Sequence, residues 1–142
     1  MAAATTTRYV ENIHPLHAVL VAGSLPLFLG ALLCDWAYWS TYEIQWSNFA
    51  SWLIVGGLFF SGCALVFVIV DAFRVASHGR GWLAYAVTLL AAWIFGLFNA
   101  FMHARDAWAA MPGGLILSLV ATALVIAATG MAFCRWRAGA RP

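Results

Sequence analysis

Residues 50–70 read ASWLIVGGLFFSGCALVFVIV, without one Asp, Glu, Lys or Arg. A helix needs about 20 predominantly apolar residues to cross the hydrocarbon of a bilayer, and this stretch supplies them. Working outward, three more such runs appear: Leu16 to Cys34, Gly81 to Met102 and Met111 to Cys134. Together the four runs occupy most of the 142 residues and leave no segment for a separate soluble domain. The chain is 65% hydrophobic and only 8% charged, with mean hydropathy +0.90. Soluble domains carry charge at roughly a quarter of their positions. One small core cannot hide this much apolar surface from water, so the solvent is lipid. The expected fold is all-α, an integral membrane bundle of four antiparallel, up-down helices in a single domain spanning 1–142.

The N-terminal MAAATTTRYVENIH offers one Arg, an acidic Glu11 and no clear small-residue cleavage site, so the first run is expected to be a permanent span. A net charge of +2 with no basic stripe argues against nucleic acid. Cys34, Cys63 and Cys134 stand far apart, without the spacing of covalent haem attachment or a zinc knuckle. They read as small buried hydrophobes.

All seven basic residues are Arg. Arg8, Arg74, Arg80, Arg135, Arg137 and Arg141 fall in the tails and in the loop DAFRVASHGRG, 71–81, whereas Arg105 alone lies on the opposite side. The positive-inside rule places both termini in the cytoplasm of a bacterial inner membrane and the other face in the periplasm. Trp36, Trp39, Trp46, Trp52 and Trp108 then mark the periplasmic boundary, and Trp82 and Trp136 the Arg-rich one. Indole rings favour that level because the ring is apolar and its N–H wants a partner. Trp93 alone is expected deep in the bilayer. Pro26 should bend the first span. A loop of about 15 residues, DWAYWSTYEIQWSNF at 35–49, is expected before the second. Small residues four apart (Gly57 and Ser61; Ala92, Gly96 and Ala100; Ser118 and Thr122) are expected at helix contacts, since lipid provides no hydrophobic drive for association.

Two polar groupings could carry chemistry. At the Arg-rich end, NIHPLHAVLVAGSLP (12–26) opens the first span with Pro15 suited to the first helical position. His14, His17, Asp71, Arg74 and His78 are expected to converge there, with His14 or His17 in hydrogen-bond reach of Asp71 or Arg74, directly or through one water. An imidazole beside a carboxylate can bind a divalent metal, relay protons or hydrogen-bond a quinone; two facing histidines can clamp a haem iron; or the group simply ties spans one and two together. At the other end, FNAFMHARDAW (98–108) puts Asn99, His103 and Asp106 on one helical face, at the level of Asp35 and Arg105. A His–Asp or Arg–Asp pair would neutralise charge near hydrocarbon, serving as interhelical glue or as a docking face. His17 and His103 sit about 30 Å apart across the membrane and cannot share one iron. Every ionisable residue is expected near a boundary with the membrane middle bare, which disfavours transport, and no internal repeat suggests an inverted-repeat transporter.

The motifs HPLHAVLV, LLCDWAYW, FNAFMHARDAW and GLILSLVATALVIAATG together resemble the bacterial four-span membrane proteins grouped as domain of unknown function 2231, from Ile13 to Arg137. Many members read H-P-x-H-P at the first motif, where this chain has Ala18, and the ending GMAFCRWRAGA also departs from the family. Some members are joined to Rieske or cytochrome c modules, so the resemblance implies redox association and singles out His14, His17, Asp35, Asp71, Asn99, His103 and Asp106. The leading expectation is an accessory or anchor subunit, not an enzyme by itself, that docks a periplasmic redox protein without a cofactor of its own. The alternative is an electron carrier binding haem b or quinone at the Arg-rich end.

The arginine bias yields a direct test of topology. A reporter fused at residue 3 is expected on the cytoplasmic side, and a label placed near Ser47 on the periplasmic side. A periplasmic N-terminus would reverse every side assignment.

Overall fold

A computed structural model describes residues 14–74, 78, 81–105 and 107–139. Among them there is no strand. The elements are α1 (Pro15–Thr41), α2 (Ile44–Arg74), α3 (Trp82–His103), a single turn α4 (Ala107–Ala110) and α5 (Gly113–Gly139). The four long helices are apolar and long enough to cross a membrane. Each packs on the next, and α5 closes back on α1, so α1, α2, α3 and α5 form a four-cornered up-down bundle. Exposed Val55, Phe59, Val66 and Phe73 on α2, with similar residues on its neighbours, make the outer surface lipid-facing.

The loop expected at 35–49 is not a loop. α1 continues through Asp35 to Thr41, and α2 begins only two residues later. No Gly or Pro interrupts 35–49, and the hydroxyls of Ser40 and Thr41 donate to the carbonyls of Trp36 and Ala37, at 2.9 and 2.8 Å. The break falls at Tyr42, whose backbone is left-handed (φ 55°) and whose N–H caps α1 on Tyr38 O at 2.7 Å. Ser47 therefore lies buried in α2, and the exposed position for a label on this connection is Tyr42 or Glu43. Pro26 is accommodated within a continuous α1, facing outward.

The interior follows one rule. Buried positions on α1 are His17, Val21, Ser24, Phe28, Ala31, Asp35 and Tyr38. They alternate in steps of four and three, the seam of a coiled-coil-like bundle. α3 does the same with Tyr85, Leu89, Ala92, Gly96 and Asn99, and α2 with Ser47, Ala50, Ile54, Gly57, Ser61, Ala64 and Val68. Most of the small-residue stripes lie inward: Gly57, Ser61, Ala92, Gly96, Ser118 and Thr122 are buried, whereas Ala100 is only half-buried, because the seam of α3 steps from Gly96 to Asn99.

At mid-height the ring of Phe28 fills the centre. A Cβ on Gly57 would stand 2.8 Å from Phe28 Cε2, and one on Gly96 2.9 Å from Cε1. These are opposite edges of the ring, so it cannot retreat from one glycine without meeting the other. Thr122 Oγ1 donates to Phe28 O at 3.0 Å and fastens α5 to the same level. Trp93 lies half-buried at mid-length of α3. Its Nε1–H donates to Leu58 O at 3.2 Å, past Gly62, where a Cβ would come within 3.1 Å of the indole nitrogen.

Gly57→Ala and Gly96→Ala should each destabilise the bundle by about 1–3 kcal/mol, the usual cost of overpacking. Gly130→Ala, with nothing within 4 Å of the new methyl, is the control. Thermal unfolding in mild detergent checks this: an unshifted midpoint in both variants would mean the Phe28 contact is looser than described.

Candidate functional site

Along the bundle axis the interior changes character. Toward the Arg-rich end it is mainly apolar, built on Val21, Leu65, Val68, Leu89 and Ala128 around Tyr85, with His17, Ser24 and Ser61 as its buried polar residues. Beyond Phe28, toward the tryptophan-rich end, it becomes polar. Asp35 sits one heptad past Phe28 on α1 and is fully buried, six residues or about 9 Å before the helix ends. The carboxylate expected near this end of the first span thus lies inside the bundle rather than on its surface.

Both carboxylate oxygens are met. His103 Nε2 lies 2.7 Å from Asp35 Oδ1, with the imidazole side chain only 2% exposed. Ser118 Oγ donates to Asp35 Oδ2 in a short hydrogen bond. Asn99 Nδ2 donates to Ser118 Oγ at 2.7 Å. His103 Nδ1 in turn reaches Asn99 O at 3.0 Å, one turn back on α3. The contacts close into a ring that joins α1, α3 and α5. Gly114 makes room for it, since a Cβ there would stand 3.0 Å from His103 Cε1.

The protons of this ring can be counted. A backbone carbonyl only accepts, so His103 Nδ1 carries a hydrogen. One further hydrogen must then lie between His103 Nε2 and Asp35 Oδ1. Whether the pair is imidazolium–carboxylate or imidazole–carboxylic acid, its charge sums to zero. That resolves the cost of an ionisable group in a lipid-surrounded interior, which unpaired would be several kcal/mol. One acceptor is left over: Asn99 Oδ1 is buried and has no donor among the described residues.

Of the residues expected at this end, the structure brings together Asp35, Asn99 and His103. Arg105 stands apart on the surface, its Nη1 3.8 Å from Met102 Sδ, and Asp106 lies outside the described residues. Ser118 is the member that sequence reasoning read only as a small packing residue. Its spacing to Thr122 signals a buried face, but its partner is 83 residues away.

The Arg-rich end divides into two arrangements. His14 caps α1, its Nδ1 accepting from Leu16 N at 3.3 Å, and its ring stacks on Phe67 at 5.9 Å. His17, buried against the same Phe67, has Nε2 2.7 Å from the hydroxyl of buried Tyr85 on α3. The pairing expected between these histidines and Asp71 or Arg74 gives way to different partners. Asp71 Oδ2 accepts from Trp82 Nε1 at 3.1 Å. His78 Nε2 donates to Asp71 O at 3.3 Å, lies 3.8 Å from Asp71 Oδ2, and stacks on Trp82 at 4.0 Å. These contacts tie the end of α2 to the start of α3, because both aromatic and carboxylate edges are available where the helices terminate. Arg74 occupies the last turn of α2, exposed, where a cation complements the helix dipole. Tyr85, Phe67 and Trp82 are the partners the sequence did not single out. No group of three or more His, Cys, Asp or Glu able to hold a metal occurs among the described residues.

No curated protein and no solved structure matches the chain. A family model does: the one described as predicted membrane protein, domain of unknown function 2231, over residues 13–135. With four membrane-length helices, the HPLH start of α1 and the FNAFMH end of α3 all inside that match, the chain belongs to the family of predicted membrane proteins defined by domain of unknown function 2231.

Proposed function

We propose that the chain is an accessory or anchor subunit of a bacterial inner membrane, with both termini cytoplasmic, that docks a periplasmic redox protein at its tryptophan-rich end. One observation carries this reading. The ionisable interior at that end is consumed in holding α1, α3 and α5 to one another: both ring nitrogens of His103 are engaged, by Asp35 and by Asn99 O. The ring fixes the ends of α1, α3 and α5, and Trp36 and Trp39 on α1 stand exposed near Trp46 and Trp52 on α2, the two helices being joined by a two-residue connection with no slack. A rigid aromatic rim is suited to docking, because Trp is enriched among the residues that dominate binding energy. The redox character of the partner rests only on what the resemblance to this family implies, that some members are joined to Rieske or cytochrome c modules.

A second reading has its own observation. The buried His17–Tyr85 pair beside Phe67 offers a donor and an acceptor in an aromatic setting, which a quinone carbonyl could share. Haem b is less well served, since His78 Nε2 donates to a carbonyl and its ring is stacked on Trp82.

Purification of the intact chain in mild detergent tests both readings. The anchor reading expects no Soret band and no stoichiometric quinone on lipid extraction. It also expects a haem- or iron–sulfur-bearing protein to be recovered with the chain, and that recovery to fall about tenfold or more in Trp36→Ala/Trp52→Ala. Stoichiometric quinone that disappears in His17→Ala, or a Soret band that weakens in His17→Ala and His78→Ala, would replace it with the carrier reading.

A further inference from the structure

The ring at the tryptophan-rich end contains two ionisable side chains where neutral ones would close the same circuit. Holding α1, α3 and α5 together does not by itself call for ionisable side chains, since replacing a buried ion pair by well-packed neutral residues is often neutral or stabilising, and an ionisable pair inside a membrane bundle points to a site as well. We propose that Asp35 and His103 form a proton-binding site, whose ligand is the single proton held between Asp35 Oδ1 and His103 Nε2 and exchanged with water beyond the tryptophan-rich end. This goes beyond docking and does not rest on it.

Three features fit the site to that ligand. The first is access. His103 is the last residue of α3, and Ala104 and Arg105, which follow it, are exposed, so the proton has one side chain to cross between the interior and the surface. The second is where the charge goes. When the shared proton leaves to water, the negative charge stays on the Asp35 carboxylate. Ser118 O–H donates to it, and the Asn99 amide donates to Ser118 from behind. His103 keeps its Nδ1–H on Asn99 O, while its bare Nε2, 2.7 Å from Asp35 Oδ1, is repelled by the carboxylate and must draw back from it. Loss of the proton therefore opens the ring at this one contact, and no other hydrogen bond has to reverse. The third is Asn99 Oδ1, a buried acceptor with no donor among the described residues. It suits a donor the size of water beside the ring, the carrier a proton needs to enter or leave.

Other titratable groups can be named. On α1 the neighbours are Cys34 and buried Tyr38 on the same face, with Tyr42 just beyond the helix, and between Ile44 and Val70 on α2 the single ionisable side chain is Cys63. Asp106, three residues after His103, lies outside the described residues. On α3, Tyr85 lies at the far end, and from Gly113 to Cys134 on α5 the one titratable group is that final cysteine, also at the far end. α4 has none. Glu43 follows the exposed end of α1, and Arg105 points to Met102 Sδ.

The test uses the full chain reconstituted in neutral phosphatidylcholine vesicles. Infrared difference spectra are recorded between about pH 5 and about pH 8, the range in which imidazoles exchange protons, with deuterium exchange to mark carboxyl signals. The expected result is a reversible change of about one proton per chain, with a carboxyl signal that shifts in heavy water and is lost in Asp35→Asn. Ser118→Ala keeps both ionisable partners and removes the donor to Asp35 Oδ2, so it should retain the signal with a displaced midpoint. Nitrogen-15 spectra of wild-type His103 should follow the same midpoint, so the result does not depend on Asp35→Asn folding. A wild-type carboxyl and His103 signal that stays fixed across this range would overturn the proposal, leaving a purely structural pair. So would a signal that survives in folded Asp35→Asn, or a Ser118→Ala midpoint identical to wild type.

Discussion

A carboxylate buried inside a membrane bundle has to be met at both oxygens, and Asp35 imposes that condition on the bundle. One oxygen needs a partner from α3 and the other a partner from α5, so three helices are brought to a common height and rotation. The heptad spacing of α1 then carries the register away from this point. One heptad toward the Arg-rich end lies Phe28, gripped by Gly57 and Gly96; one more reaches Val21 in the apolar cluster. The polar ring specifies which helix faces meet, and the glycines determine how closely they approach. Dispersion and hydrogen bonding do this work because lipid, unlike water, gives two apolar helices no reason to leave it for each other.

The architecture was legible because lipid demands long uninterrupted apolar runs, and ASWLIVGGLFFSGCALVFVIV is one. Helix ends were less so. Charge and aromatic content changed at Asp35, and the reading stopped the first span at Cys34, but a helix ends where its backbone is broken, and nothing before Tyr42 breaks it. The inward faces show little contrast in hydropathy with the outward ones, since both are apolar. They differ in size: Ala50, Gly57, Ala64, Ala92, Gly96 and Ala121 face in, while Phe59, Phe73, Leu83 and Phe98 face out. Size at four-residue spacing was the visible part of that signal.

The candidate site was half legible for the same reason. Asn99 and His103 announce a shared face by their spacing, and Asp35 announces itself by being charged. Ser118 carries no such mark, because a serine in a membrane helix satisfies itself on its own backbone as readily as on a neighbour. Ser61 does so on Gly57 O at 2.6 Å. Only the three-dimensional arrangement separates the two serines. At the Arg-rich end the reading found the polar residues but paired them by type, histidine with aspartate. The aromatic hydroxyl of Tyr85 and the indole N–H of Trp82 took those places instead.

The ring also has an order in time. A polypeptide enters its membrane from the N-terminus, so Asp35 is made 68 residues before His103 and 83 before Ser118. Through that interval α1 carries a carboxyl group whose partners do not yet exist. The arrival of α3 supplies the imidazole for one oxygen, and α5 the hydroxyl for the other. The one acidic residue of the first helix is therefore fully met only when the last helix has joined the bundle.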